Sequence, residues 1–312
     1  MNAFLYHNGA LGDFITTIPS ILLWKKITSP ESITFFGNRK IGEFAVKSGI
    51  VDTVWDSTKS CYVSLFSSNP DRSLANFSNF LLFTSPDSEL LKNISQTKPE
   101  YLFYQKPFPE KPVHIVDYHI SLFSRYKDFD IPLIPQIRIP DTGTYFSCNN
   151  KYICIAPGSG SSIKNWPLSR FIETADYLKC TGYSIVWICG PAEDNLTIPD
   201  NDTILRNADL LQIAAVLSKC ELYIGNDSGI THLAAATGCN ILALFGPSDP
   251  TIWSPRGLNV KILQKPSICP PCHLTINSYK KCNRECILEI KVDDLIAEIN
   301  NVLPCKLGSS PD

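Results

Sequence analysis

The residues that could carry chemistry lie in three polar segments, and each segment directly follows a short apolar run. The most specific of them, residues 223–238, passes through an Asn-Asp-Ser-Gly turn into a stretch of small residues. Ser228 and Gly229 would stand at the start of a helix, where outward-pointing backbone amides form a ready anion site. His232 follows one helical turn later and can face the same ligand, although a histidine in an alanine-rich helix is more often a packing residue. This segment therefore predicts an anion-binding turn.

The second polar segment, residues 156–167, is rich in groups that hold phosphate. Gly160 opens the backbone, Ser159 is one of three serines that supply hydroxyl donors, and Lys164 supplies a positive charge. Pro167 stands where a helix would begin, because proline is favoured in the first helical turn. Hydroxyl donors, a cation and a nearby helix start suit a diphosphate group. The alternative for this segment is a polar surface turn.

The third polar segment, residues 7–13, contains Gly9, Gly12 and Asp13. The two glycines allow a tight turn and a close approach of a ligand to the backbone. Asp13 has two interpretations that do not exclude each other. It can cap the following helix, whose dipole favours a carboxylate in the first turn, or it can take a proton from an acceptor hydroxyl. The segment lacks the GxGxxG spacing, and the chain contains no Walker A motif.

Apolar runs alternate with amphipathic stretches along the whole chain, which indicates parallel sheets covered by helices. We predict strands at residues 3–7, 32–37, 80–84, 101–105, 152–156, 183–189, 221–225 and 241–245. We predict helices at residues 13–26, 39–48, 87–96, 167–179, 210–219, 229–237 and 292–303, the last as a closing helix.

A linker-like composition interrupts this pattern, because residues 131–151 contain three prolines and a glycine. The alternation of strands and helices restarts after it. The sequence therefore predicts an α/β protein of two Rossmann-like domains, residues 1–146 and 147–312, that face each other across a cleft. Ligands of such sheets bind at the carboxyl ends of the strands.

Composition restricts the class of protein. The 312 residues are 44% hydrophobic and 19% charged, which is typical of globular domains, and the net charge of -2 argues against a nucleic-acid partner. No apolar run approaches the roughly 20 residues that span a bilayer, and residues 1–13 do not resemble a signal peptide. We expect a cytoplasmic protein, with peripheral contact at the inner face of the membrane left open.

The chain contains twelve cysteines. Cys154 and Cys189 fall within predicted strands, and we expect them to be buried thiols. A further group, with a CxxC and a CxxxC spacing, could bind a structural Zn or Fe ion and consists of Cys269, Cys272, Cys282 and Cys286. The alternatives for this group are a metal-free thiol cluster and a disulfide.

The polar segments, taken together with Pro19 and the PRG sequence that ends at Gly257, resemble the signatures of glycosyltransferase family 9, the ADP-heptose:lipopolysaccharide heptosyltransferases. The resemblance is densest over residues 152–257 and thin between about residues 35 and 146. It implies a GT-B fold and an inverting, metal-independent transfer from an ADP-heptose-like donor, without a required cofactor. The acceptor that it implies is a hydroxyl of a lipopolysaccharide core or of another surface glycan.

The resemblance also assigns roles to residues. Asp13 becomes the general base, in an N-terminal acceptor-binding domain whose loop contains Gly9 and Gly12. The second domain binds the donor, and its candidate residues are Ser159, Gly160, Lys164, Glu193, Asp227, Ser228, Gly229 and His232. Two alternatives remain at this stage. One is a GT-B enzyme with another nucleotide sugar or a protein acceptor, and the other is a non-catalytic nucleotide-binding protein.

Overall fold

In the computed structural model the chain forms two compact units, Met1–Asp141 and Thr142–Asp312. The structure describes residues 1–67, 72–126, 133–140, 151–199, 201–266 and 282–303. The predicted domain boundary at residue 146 lies outside them. Within the described residues, one unit carries a five-stranded sheet and the other a six-stranded sheet.

The strands of the first unit are β1 (Asn2–His7), β2 (Ser32–Gly37), β3 (Thr53–Asp56), β4 (Asn79–Phe83) and β5 (Tyr101–Gln105). Its helices are α1 (Leu11–Thr28), α2 (Arg39–Lys47), α3 (Glu89–Gln96) and α4 (Ile115–Ser121), with short 3₁₀ helices at Ser60–Phe66 and Arg72–Asn76. The strands are parallel and lie in the order β3-β2-β1-β4-β5. The order reverses direction between β1 and β4, so the loop after β1 opens at the topological switch point.

Aromatic side chains fill the core of this unit. Phe4 of β1 packs against Phe36 and Phe80 of the neighbouring strands, with ring centroids 5.7 Å apart in both pairs. The indole Nε1 of Trp24 donates to Asn79 Oδ1 at 2.7 Å, which ties α1 to β4 inside the core. Helix α1 is thereby fixed on the sheet, and the loop that leads into it from β1 is held at both ends.

The strands of the second unit are β6 (Tyr152–Ala156), β7 (Ser184–Cys189), β8 (Thr203–Arg206), β9 (Leu222–Asn226), β10 (Ile241–Leu244) and β11 (Val260–Leu263). Its helices are α5 (Leu168–Cys180), α6 (Leu210–Leu217), α7 (Gly229–Thr237), α8 (Pro250–Trp253), α9 (Glu285–Leu288) and α10 (Val292–Val302), with 3₁₀ helices at Ser162–Lys164 and Pro191–Glu193. The order β11-β10-β9-β6-β7-β8 is that of a dinucleotide-binding Rossmann sheet, with its switch point between β6 and β9.

The predicted α/β architecture with parallel sheets is confirmed, whereas the cleft between the two units stays a prediction. The strands β3, β8 and β11 are not among the predicted strands. Each of these is a four-residue strand at the edge of its sheet and is only partly buried. An edge strand needs no long apolar run, so it leaves little hydrophobic signal.

Two further predictions concern single residues and membrane spans. Cys154 and Cys189 are buried thiols, as predicted, and burial raises the pKa of Cys189 to about 11, so this thiol behaves as a small apolar group. None of the helices in the described ranges combines the length and the apolar character that a bilayer-spanning segment requires.

Candidate functional site

The candidate site lies at the carboxyl edge of the second sheet, at its switch point. The chain leaves β6 into the polar loop 157–167 and leaves β9 into the turn before α7. Because β6 and β9 are neighbours in the sheet, two segments that are about 60 residues apart in sequence meet at one place. This is where ligands of doubly wound sheets bind.

An ion pair joins the two segments. Lys164, the last residue of the 3₁₀ helix Ser162–Lys164, places its Nζ 2.7 Å from Asp227 Oδ2. The side chains are 22% and 9% exposed, so the pair is shielded from water while the lysine remains reachable. Both residues are predicted site residues, and the structure brings them into direct contact.

Asn226 connects the same segments by hydrogen bonds. Its Nδ2 donates to the carbonyl oxygen of Pro157 at 2.7 Å, and its Oδ1 accepts from the amide of Trp166 at 2.9 Å. The side chain is fully buried and holds both ends of the loop 157–167. Asn226 is not among the predicted site residues, although an asparagine at the end of an apolar strand is the signal that could have identified it.

The start of α7 is an ordered helix N-terminus. Ser228 is its N-cap, and its Oγ accepts from the amide of Thr231 at 3.4 Å. The Thr231 hydroxyl is also hydrogen-bonded to the hydroxyl of Tyr223 at 2.9 Å. His232 lies in the first turn of α7 and is 8% exposed, which agrees with a packing residue. Backbone amides at such a terminus attract an anion.

The loop after β6 closes on itself through Ser159. Its Oγ lies 2.6 Å from Asn165 Oδ1 and 2.8 Å from the carbonyl oxygen of Ser161, and it accepts from the Ser161 amide at 3.2 Å. Ser159 therefore shapes the loop. At Gly160 a Cβ atom would meet nothing within 4 Å, so the space beside this residue is open.

Glu193 reaches the same edge from the loop after β7. Its Oε2 accepts from the amide of Gly190 at 2.8 Å, and the residue is only 8% exposed. A Cβ atom on Gly158 would lie 1.9 Å from Glu193 Oε1, so the carboxylate occupies the space that a side chain at position 158 would need. The structure thus brings Glu193 against the loop after β6, and the role of Gly158 is to make room for it.

The first unit contains the predicted base. Asp13 lies in the first turn of α1, directly after Gly12, and its Oδ2 accepts from the amide of Ala10 at 2.9 Å. The capping interpretation of Asp13 is therefore confirmed. A Cβ atom on Gly9 would lie 2.9 Å from Asp13 Oδ2 and 2.9 Å from His7 Cε1. A glycine at position 9 lets the loop pass between these two side chains.

Two buried histidines stand near this loop. Burial lowers the pKa of His7 to about 4. Burial, together with the neighbouring His7, lowers the pKa of His119 to about 3. Both rings pack edge-on against Phe83, and the Nδ1 atom of each has no hydrogen-bond partner. Neither histidine is among the predicted site residues, because a histidine inside or next to an apolar run carries little signal of its own.

The structure describes two of the four cysteines of the predicted metal group. Cys282 is partly exposed and Cys286 is buried, whereas Cys269 and Cys272 lie outside the described residues. Within the described ranges no three or more His, Cys, Asp or Glu side chains lie together as a metal site. A structural Zn or Fe ion at this group stays a prediction.

Comparison with known proteins identifies a family. The profile of the family described as "Glycosyltransferase family 9 (heptosyltransferase)" matches residues 93–283. A lipooligosaccharide heptosyltransferase 2 from Campylobacter jejuni is 23% identical over 242 residues, which cover 72% of this chain and 74% of the relative.

Two solved structures share the fold over nearly the whole chain. A family 9 glycosyltransferase from Veillonella parvula has a TM-score of 0.77 at 19% identity and covers 97% of both chains. The ADP-heptose lipopolysaccharide heptosyltransferase II of Escherichia coli has a TM-score of 0.75 at 16% identity and covers 97% of this chain and 98% of its own. At such identities the likeness establishes the fold, and the predicted GT-B class is confirmed.

Proposed function

The chain belongs to glycosyltransferase family 9, and from that premise we propose that it transfers a heptose, or a related sugar, from an ADP-sugar to a hydroxyl of a lipopolysaccharide core or another surface glycan. The chain is a glycosyltransferase of the heptosyltransferase kind. The observation that carries the finer proposal is the Lys164–Asp227 pair in front of the α7 N-terminus, at the switch point of the second sheet.

The donor diphosphate fits this place for an electrostatic reason. Lys164 supplies a positive charge. The first backbone amides of α7, from Gly229 onwards, also create a positive potential, because the positive end of the helix dipole lies at the N-terminus. When the bond between the sugar and the diphosphate breaks, the leaving nucleoside diphosphate gains negative charge. A lysine and helix amides that are already oriented stabilise this charge, so the scheme works without a metal ion. Ser228 and His232 belong to the same helix turn, and Ser159, Gly160 and Glu193 lie in or against the loop that carries Lys164.

Asp13 completes the proposed reaction from the first unit. Its carboxylate takes the proton of the acceptor hydroxyl while that oxygen forms a bond to the anomeric carbon of the donor sugar. The electron pair of the breaking carbon–oxygen bond leaves with the diphosphate. This single in-line displacement inverts the anomeric configuration, and one base is enough for it. Asp13 is partly exposed, as a group that meets an acceptor must be.

The acceptor determines where the protein acts. A lipopolysaccharide core is attached to a lipid anchor, so we propose peripheral contact with the inner face of the cytoplasmic membrane during transfer. Binding of the purified protein to vesicles with and without core glycolipid tests this part separately from catalysis.

A donor screen tests the function. Thermal-shift and donor-hydrolysis measurements with ADP-, GDP- and UDP-linked sugars should show a preference for the adenine nucleotide. A variant with Lys164→Ala should show a much weaker response at the same donor concentration, whereas Asp13→Asn should keep the native response. A clear preference for a uridine donor would overturn the assignment of an ADP-sugar. A rate of donor hydrolysis that is the same in Lys164→Ala as in the native chain would contradict the proposed diphosphate site.

A further inference from the structure

A short C-terminal segment, residues 284–290 and here called the brace, contacts the loop that carries Lys164. The indole Nε1 of Trp166 donates to the carbonyl oxygen of Ile290 at 2.9 Å. The guanidinium Nη1 of Arg170 lies 2.6 Å from the carbonyl oxygen of Leu288 and 2.7 Å from that of Ile290. The brace is thus fixed both to the end of the loop and to the first turn of α5.

The brace also touches the neighbouring loop of the sheet. A Cβ atom on Gly246, which follows β10, would lie 2.7 Å from Ile287 Cβ. Ile287 and Ile290 are fully buried. The brace therefore packs against the loops after β6 and β10, which lie at the same edge of the sheet as the turn after β9.

Arg284 is the residue of the brace that reaches the donor loop itself. Its Nη1 donates to the carbonyl oxygen of Ser162 at 3.0 Å, and Ser162 begins the three-residue 3₁₀ turn that ends at Lys164. The same carbonyl accepts a long hydrogen bond, of 3.3 Å, from the amide of Asn165. A 3₁₀ turn has poor internal hydrogen bonds and is short for that reason, so a charged donor from outside adds substantially to its order.

The backbone of Arg284 supports the same interpretation. Arg284 has φ +59°, in the left-handed region that costs energy for a residue with a side chain. Its amide donates to Cys282 Sγ at 3.4 Å, and its carbonyl accepts from the amides of Ile287 and Leu288 at 3.2 and 3.1 Å. These contacts hold the conformation that aims the guanidinium at the loop.

We propose that Arg284 is a positioning residue of the donor site: it fixes the turn Ser162–Lys164 and thereby places Lys164, and its ion pair with Asp227, where the diphosphate binds. The inference rests on the proposed donor site. The family profile ends at residue 283, so Arg284 lies just beyond the part of the chain that the family match covers.

Titration of the full chain with ADP by calorimetry tests the proposal. Loss of one charge-assisted hydrogen bond that acts on the site should raise the Kd of Arg284→Ala about fivefold, which corresponds to about 1 kcal/mol. Arg284→Lys retains a cation and should recover part of the affinity. Lys291→Ala is the matched control, because Lys291 Nζ donates to a carbonyl of the same brace, that of Leu288, at 3.2 Å without touching the loop. Its Kd should equal that of the native chain.

A double-mutant cycle separates positioning from a general loss of structure. If Arg284 acts through Lys164, the effect of Arg284→Ala should largely disappear in the Lys164→Ala background. Equal ADP affinity of Arg284→Ala and the native chain, or full additivity in the cycle, overturns the proposal. Failure of the native chain to bind any nucleoside diphosphate would instead overturn the proposed function. Thermal unfolding identifies a variant that does not fold. If Arg284→Ala does not fold, the ADP affinity of Arg284→Lys is compared with that of the native chain instead.

Discussion

Lys164 Nζ lies 2.7 Å from Asp227 Oδ2, so a cation from the loop after β6 and a carboxylate from the turn after β9 form an ion pair at the switch point of the second sheet. Asp227 neutralises the charge of Lys164 and keeps its flexible side chain in place. A bound diphosphate would be a second anionic partner for the same ammonium group.

The first prediction concerns this lysine. Lys164→Ala removes a charge-assisted contact to the diphosphate and should raise the donor Kd by roughly tenfold or more, since such contacts contribute about 1.5–3 kcal/mol. Lys151→Ala is a suitable control, because Lys151 forms an exposed ion pair with Glu221 at 3.3 Å before β6, and such pairs contribute little. Calorimetry with ADP measures both. Equal affinities of the two variants would contradict the assignment of Lys164.

The second prediction concerns Asn226. Asn226→Asp keeps an acceptor for the Trp166 amide but places a carboxylate oxygen against the carbonyl of Pro157, in a fully buried position. We expect a loss of about 3 kcal/mol or more in the free energy of unfolding, because a buried charge stands where a donor is needed. Asn240→Asp is the control, since Asn240 donates to the carbonyl of Glu221 at 3.0 Å in a less buried place.

Urea unfolding of both asparagine variants gives the comparison. A loss for Asn226→Asp that is no larger than that for Asn240→Asp would show that the two ends of the loop are held by other contacts.

The sequence could foretell some of this arrangement and not the rest. The alternation of strands and helices predicted both sheets, and the resemblance to glycosyltransferase family 9 assigned Lys164 and Asp227 to one donor site. Their direct pairing, and the bridging role of Asn226, depend on β6 and β9 being neighbours. Strand order follows from the packing of the whole unit and leaves no local signal in the chain.

The third prediction concerns Gly158. Gly158→Ala would place a Cβ atom 1.9 Å from Glu193 Oε1, so the carboxylate or the loop must move. We expect Gly158→Ala to lower the unfolding temperature and to weaken donor binding, whereas Gly160→Ala, which has open space beside it, should leave the unfolding temperature unchanged. Replacing Glu193 by alanine in the Gly158→Ala background should restore stability. A Gly158→Ala variant as stable as Gly160→Ala would contradict the close packing.

The fourth prediction separates the two roles of Asp13. Asp13→Asn keeps a carbonyl oxygen that can accept from the amide of Ala10, so the helix cap and the stability should be nearly unchanged. The amide cannot take a proton, so sugar transfer should fall by a factor of about 100 or more while donor binding persists. Asp13→Ala loses both functions and should also lose about 1 kcal/mol of stability. Unchanged turnover in Asp13→Asn would exclude Asp13 as the base.

The last prediction follows from the buried histidines of the first unit. Their folded-state pKa values, about 4 for His7 and about 3 for His119, lie below the ordinary 6.5. The unfolded chain therefore binds protons that the folded chain does not. Each histidine leaves the free energy of unfolding undiminished above pH 6.5 and lowers it as the pH falls, by about 2 kcal/mol per histidine between pH 7 and pH 5.

His119→Leu removes one of these groups and should make the stability of the unit less dependent on pH. The less buried His114, whose Nδ1 accepts from the amide of Val116 at 3.3 Å as the N-cap of α4, supplies the control His114→Asn, which should keep the native dependence. Hydrogen exchange of the β1 and β4 amides at pH 7 and pH 5, corrected for the intrinsic rates, reports on this unit alone. The same pH dependence in His119→Leu as in the native chain would mean that other groups destabilise the unit in acid.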